Sequence, residues 1–156
     1  MSHPFLQFRA RDEAEMAQLA GLIAERTKNG DTLLLEGEIG AGKSAFARGF
    51  IRAKLGRLED VPSPTFTIVQ VYNSDGGEIW HCDLYRLTHP DEALELGLDE
   101  AFETAICLVE WPDRLGEEQP ETALRLSFAA RETHHDVSIS GADEWADRLK
   151  GLDAKA

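Results

Sequence analysis

Apolar positions along this chain alternate between short continuous runs and runs at helical spacing. Phe5-Leu6-Gln7-Phe8 reads as a short strand. Asp12 then begins a helix, with Glu15 three residues on as the return half of a capping box. Met16, Leu19, Ala20 and Ile23 recur at helical intervals and give that helix one apolar face. Asn29-Gly30 ends it. Thr32-Leu33-Leu34-Leu35 is a continuous apolar run, the pattern of a strand buried on both faces. It leads through a glycine-rich stretch, 37–44, into a helix that ends near Leu55.

Pro62-Ser63-Pro64 cannot be helical. The runs Phe66 to Tyr72 and Glu78 to Tyr85 are rich in β-branched and aromatic residues, and the turn-forming segment 73–77 between them predicts a hairpin. Pro90 to Phe102 predicts one or two short helices broken near Gly97. Ile106 to Val109 is a second continuous apolar run and predicts a central strand. Leu124 to Ala129 and Val137 to Ser140 read as later strands. Trp145, Leu149 and Leu152 mark a C-terminal helix, and 153–156 reads as a loose tail. Strands alternating with helices predict one α/β domain over residues 1–156. The expected architecture is a three-layer domain with a mixed, mostly parallel central sheet and an antiparallel hairpin.

Composition narrows the classes. At 156 residues with 42% hydrophobic and 29% charged positions, the chain is long enough to bury a core without disulfides or a structural metal. Cys82 and Cys107 lie in apolar runs outside any CxxC pair, which predicts buried free thiols rather than zinc ligands. No apolar run approaches a membrane span, and the N-terminus has no basic stretch followed by an apolar segment, so a cytoplasmic location is expected. Lys plus Arg number 16 against 29 Asp plus Glu, a formal net charge of −13. Phosphate neutralisation dominates nucleic-acid affinity, so a nucleic acid relevant to this chain is expected on a partner.

The candidate chemistry lies in Gly37-Glu38-Ile39-Gly40-Ala41-Gly42-Lys43-Ser44, which matches the P-loop pattern G-x-x-x-x-G-K-[ST] and makes the expected three-layer domain P-loop NTPase-like. The glycines let the backbone curl so that successive N–H groups face phosphate oxygens. The positive end of the following helix faces the same phosphates. Lys43 is expected to reach the β- and γ-phosphates, and the Ser44 hydroxyl to ligate magnesium. Such a site also needs a carboxylate at the end of a buried strand. Glu110, directly after Ile106 to Val109, and Asp83, after Ile79-Trp80-His81-Cys82, are the two candidates. The competing reading of each is a helix cap or an ion pair with Arg86 or Arg114. Thr65, on a proline-constrained loop, is a candidate switch residue; the alternative is that Pro62 and Pro64 only shape a turn. His81 reads as a strand residue, His134-His135 as an exposed turn, and Arg48 with Arg52 as a solvated helix face, the alternative being a face that meets an acidic partner.

Four segments in this order resemble the TsaE family, small bacterial ATPases needed to make threonylcarbamoyladenosine in tRNA. They are 37–46, Ser63-Pro64-Thr65-Phe66-Thr67, His81-Cys82-Asp83-Leu84-Tyr85-Arg86-Leu87, and Leu108-Val109-Glu110-Trp111-Pro112. The likeness spans residues 5 to 130, and the segment after Ala130 is unmatched. The resemblance implies that Lys43 and the loop residues Gly37, Ile39, Gly40, Ala41, Gly42, Ser44 and Ala45 bind ATP. It implies that Ser44 and Glu110 hold Mg2+, with Asp83 as a second acidic residue near the metal. It places Thr65 in a switch loop, Trp111 beside the site and Glu13 near the nucleotide. Ser44 stands where Thr is commoner, and Asp113 where Glu or Gln is usual.

The resemblance also implies partners, the TsaD and TsaB proteins, with tRNA reached through them rather than bound directly. No certain arginine finger is visible, which predicts weak turnover alone and stimulation in a complex; Arg86 is a candidate in cis. Two other readings stand beside this one. A small-molecule kinase would need an acceptor pocket and an arginine-rich lid, and no arginine cluster follows the helical segment near residue 100. A nucleotide-gated assembly module would bind ATP without turnover.

Overall fold

The computed structural model describes residues 4–38, 40–57, 60–62 and 68–152. Seven strands form one sheet: β1 (Leu6–Ala10), β2 (Thr32–Gly37), β3 (Val69–Ser74), β4 (Gly77–Asp83), β5 (Ile106–Glu110), β6 (Leu124–Ala130) and β7 (His135–Ser140). Their order across the sheet is β1-β7-β6-β2-β5-β4-β3. β6, β2, β5 and β4 pair in parallel, whereas β1–β7, β7–β6 and β4–β3 pair antiparallel. The mixed sheet and its antiparallel hairpin match the sequence expectation.

Alternation along the strands sends successive side chains to opposite faces. Leu33, Leu35, Ile106 and Leu108 meet α1 (Glu13–Ala24) and α2 (Lys43–Leu55) in the larger core. Leu34, Cys107 and Val109 face the other core, which α3 (Asp91–Glu95) and α4 (Leu98–Thr104) cover. α5 (Asp143–Arg148) returns to the first face, where Trp145 and the following Leu149 and Leu152 are buried. Both cysteines are buried and free, and burial pushes the Cys107 thiol up to about 12.

Local signals held with shifts that contacts explain. Asp12 caps α1 by accepting from the Glu15 N–H at 2.9 Å. The Glu15 carboxylate returns one residue earlier than a capping box requires, accepting from Arg11 N–H at 2.7 Å. α1 stops at Ala24, short of Asn29-Gly30, and Thr27 just beyond it turns its hydroxyl onto the Ile23 carbonyl at 2.8 Å. Asn29 instead donates to the Gly76 carbonyl at 2.7 Å and steadies a hairpin turn shorter than 73–77. α3 and α4 break at Gly97 as expected, and β7 starts two residues before Val137. Ser63 to Thr67, Leu58, Glu59 and the 153–156 tail lie outside the described residues.

α1 and α2 touch closely at one small residue. A methyl group on Gly49 would meet Ala17 Cα at 2.9 Å and Ala20 Cβ at 3.3 Å. Gly49→Val is expected to wedge the helices apart and cost about 1–3 kcal/mol. Chemical denaturation measures it, and an unchanged midpoint would show that the helices separate freely.

Candidate functional site

β2 ends at Gly37, and α2 begins at Lys43 with Gly42 as its N-cap residue. The predicted loop therefore bridges a buried parallel strand and a helix, at the carboxyl edge where ligands of open α/β sheets bind. Gly37 has a packing reason of its own: a side chain there would place Cβ 2.5 Å from the Phe128 carbonyl oxygen on β6. Gly42 has φ +108°, and its Cβ would sit 2.6 Å from Met16 Cε and 2.9 Å from His135 Nδ1. Ala41 turns its methyl into the core and its N–H to the Glu38 carbonyl, so it faces the cavity with backbone at most. Ile39 and Thr65 lie outside the described residues.

The loop opens on a cavity of about 690 Å³. Lys43 is buried, donates from Nζ to the Gly37 carbonyl at 2.6 Å and lies 4.5 Å from the Trp111 ring centroid. Trp111 sits in the left-handed region at φ 57°, ψ 53°, which an ordinary side chain seldom occupies. That conformation turns the chain from β5 into the 3-10 segment Pro112–Glu118 and keeps the ring beside Lys43. Tyr85 packs on Trp111 with centroids 4.9 Å apart, and Arg114 lies over Tyr85 at 5.7 Å. Arg114 thus serves the aromatic pair, and Arg86 lines the cavity.

The two candidate carboxylates arrive from neighbouring strands. Glu110 ends β5 and pairs in register with Asp83 at the end of β4 and with Leu35 of β2. Strand parity points both carboxylates to the face that carries α2. Glu110 is buried and its Oε2 lies 2.8 Å from His81 Nε2; His81 is equally buried and its Nδ1 has no partner. His81 is thus a strand residue, as its setting in the sequence predicts, and also the hydrogen-bond partner of a candidate metal residue. Asp83 is half-buried and accepts from the Tyr85 N–H at 3.1 Å. Burial raises its pKa above the ordinary aspartate value; the Tyr85 amide opposes the shift and the nearby Glu110 charge reinforces it.

That shift has a testable sign. The folded chain binds the Asp83 proton more tightly than the unfolded chain does, so ionising Asp83 costs stability above the carboxylate range. The cost disappears as pH falls through that range. Asp83→Asn in metal-free protein is therefore expected to raise Tm near pH 7, with the gain shrinking toward about pH 4. Melting curves across that interval check it, and a lower Tm at neutral pH would contradict it.

Ser44, Ala45, Glu13, Asp83 and Glu110 all line this one cavity. Two other wall residues run against the sequence reading. Arg48 is half-buried and ion-paired with Glu13 rather than solvated. His135 is the half-buried first residue of β7 rather than part of an exposed turn. Arg48 follows Ser44 by one helical turn, a spacing that places both on one face of α2 and would have found it. No comparable local signal marks His135.

Among the described residues no group of three or more His, Cys, Asp or Glu side chains is arranged to hold a metal. Magnesium does not need one, because it is commonly held by one or two carboxylates, phosphate oxygens and retained water. A hydroxyl and two carboxylates beside a buried lysine supply the hard oxygen donors such an ion takes, and these residues fit it. No helix among the described residues is long and apolar enough to cross a membrane.

Comparison with known proteins finds relatives over most of the chain. Residues 10–138 match the family described as threonylcarbamoyl adenosine biosynthesis protein TsaE. A Bacillus subtilis protein named tRNA threonylcarbamoyladenosine biosynthesis protein TsaE is 42% identical over 122 residues, 78% of this chain and 75% of its own length. A protein of the same name from Treponema pallidum is 33% identical over 120 residues, covering 76% and 85%. The crystal structure of Bacillus subtilis YdiB superposes with a TM-score of 0.81 at 32% identity, over 99% of this chain and 97% of that one.

Proposed function

The chain belongs to the TsaE family of threonylcarbamoyl adenosine biosynthesis proteins, and from that premise we propose that it is a magnesium-dependent ATPase serving threonylcarbamoyladenosine modification of tRNA. The observation that carries this reading is the buried Lys43, set between a P-loop and two strand-end carboxylates in one cavity. Its ammonium rests on the Gly37 carbonyl and the Trp111 ring. Phosphate oxygens arriving over the start of α2 would draw it away from that carbonyl, exchanging a neutral acceptor for an anionic one. The N–H groups at the start of α2 bind the same oxygens.

Ser44, Glu110 and Asp83 are the residues that would hold Mg2+, which offsets charge developing on the phosphates. His81 fixes one oxygen of the Glu110 carboxylate and leaves the other open to a ligand. Thr65 remains the candidate switch residue. A cavity without a certain arginine finger fits slow turnover alone, and a net charge of −13 fits a subunit that leaves tRNA to its partners. TsaD and TsaB proteins are the proposed partners, in the cytoplasm.

Phosphate release from ATP with magnesium, measured for the protein alone and again with TsaD and TsaB, tests the proposal. Stimulation by the pair is expected. ATP binding without turnover in either condition would overturn the ATPase reading in favour of a nucleotide-gated assembly module. Phosphoryl transfer to a small metabolite would make the chain a kinase.

A further inference from the structure

The sheet ends in two edge strands, β1 and β3. The unpaired N–H and C=O groups of an edge invite another strand, and native chains blunt them with charged side chains or proline. β1 is guarded in this way, with Arg9 on the strand and Arg11 just beyond it. β3 reads Val69-Gln70-Val71-Tyr72-Asn73-Ser74, without charge or proline in a chain that is 29% charged. Among the described residues no strand pairs with its outer side.

Register fixes what that side presents. The Asp83 N–H donates to the Ile68 carbonyl at 2.7 Å, and Val69 stands opposite Cys82. Hydrogen bonding alternates along an antiparallel pair, so Gln70 and Tyr72 bond to β4 while Val69, Val71 and Asn73 turn their N–H and C=O groups outward. Val71, in the middle of this edge, is 42% exposed. It stands opposite Trp80 of β4, whose indole donates to Glu78 at 3.1 Å. The same ring reaches the α3–α4 break, 3.8 Å from where a methyl group on Gly97 would stand.

Charge selects the occupant. From Leu58 to Asp113 the sequence holds one Lys or Arg, Arg86, against 13 Asp and Glu. That span builds β3, β4, α3, α4 and β5, and the exposed Asp75 and Glu78 stand at the hairpin end beside the edge. A second copy of this chain would set like charge against like charge there. A strand flanked by Lys or Arg would meet opposite charge.

We propose that β3 is a docking edge, to which an extended basic segment of a partner protein adds as a further strand. The inference rests on the reading of this chain as one subunit of an assembly with TsaD and TsaB, and it names the surface used. Main-chain hydrogen bonds to Val69, Val71 and Asn73 supply affinity, and the Val71 and Trp80 side chains supply selectivity.

The test is calorimetric titration of the TsaD and TsaB pair into wild type, Val71→Pro and Val71→Lys, with sedimentation of each chain alone. Val71→Pro removes an outward N–H and leaves the bonds to β4 in place. It is expected to weaken partner binding about tenfold, the scale of one lost hydrogen bond and the fit around it. Val71→Lys keeps the amide, sets a like charge against the basic segment and is expected to weaken binding as well. Both variants should hydrolyse ATP alone as wild type does, because Val71 lies outside the cavity wall. Wild-type binding should also weaken as salt rises from about 0.1 M to about 1 M. Partner affinity unchanged in both variants, or unchanged by salt, overturns the proposal. So does a wild-type dimer that Val71→Pro separates, which would make the occupant a second copy. Wild type that binds no partner overturns the assembly reading, and this inference with it. Val71→Lys decides the matter even where Val71→Pro fails to fold.

Discussion

Lys43→Ala is expected to remove nucleotide binding and to lower ATP turnover roughly 10²- to 10³-fold, the scale of losing one preorganised donor to developing charge. The effect should be this large because, among the described residues, Lys43 is the one buried Lys or Arg in the cavity wall. Lys43 is the buried cation at the start of α2, and the half-buried Arg48, one turn further along, is committed to Glu13. The same substitution is expected to leave folding stability close to wild type. A buried ammonium is costly to desolvate. Its compensation here is one carbonyl at 2.6 Å and one aromatic face at 4.5 Å. Calorimetric ATP titration, phosphate release with the partner proteins, and a melting curve on the same sample separate the two effects. Unchanged hydrolysis would remove the P-loop from the mechanism. A collapse of Tm together with activity would make Lys43 a structural residue instead.

Arg148→Leu is the substitution expected to harm folding most. Arg148 ends α5 and grips Asp31 in bidentate fashion, with hydrogen bonds of 2.6 and 3.0 Å. A further bond of 3.0 Å reaches the Arg26 carbonyl, and the guanidinium lies 3.9 Å from the Trp145 ring centroid. Only 10% of the Asp31 side chain is exposed, so removing Arg148 leaves a carboxylate away from water with the Lys28 N–H, at 2.8 Å, as its hydrogen-bond donor. Breaking a buried pair on one side costs about 3–5 kcal/mol. At roughly 2–4 °C per kcal/mol for a chain of this size, Tm is expected to fall by about 6–20 °C. The double variant Asp31→Asn, Arg148→Leu should recover part of that loss, because the stranded charge is gone. Arg148→Lys should sit between, since one ammonium cannot match both carboxylate oxygens. A single variant within about 0.5 kcal/mol of wild type, the range of an ordinary surface change, would show that the clamp is solvated.

Much of the fold was legible because it is written in short-range patterns. The apolar runs of β2 and β5, the helical face of α1, the Asp12 cap and the break at Gly97 each depend on residues within a few positions of one another. The P-loop motif is legible for the same reason, since its pattern is carried by consecutive residues. Glu110 and Asp83 could be nominated because a carboxylate ending an apolar strand is conspicuous. The misreadings fell where a distant partner takes over. Asn29 reads as a helix stop, and it is engaged instead with Gly76 across the sheet edge. Arg48 reads as a solvated residue, and Glu13 from the neighbouring helix draws it into the cavity.

The sequence by itself determined a P-loop motif after a buried strand, a carboxylate ending each of two later strands, and the likeness to one family. Only the tertiary structure decided which side chains share the cavity and which brace it. His81 meets Glu110 across 29 positions of sequence, and Arg148 meets Asp31 across 117. His135 stands over Gly42 because β7 runs antiparallel between β1 and β6. The physical reason is that periodicity fixes which face of an element is apolar and carries no information about its neighbours. Strand order follows from the joint burial of two cores and from register across the whole sheet, and those exist only in the folded chain.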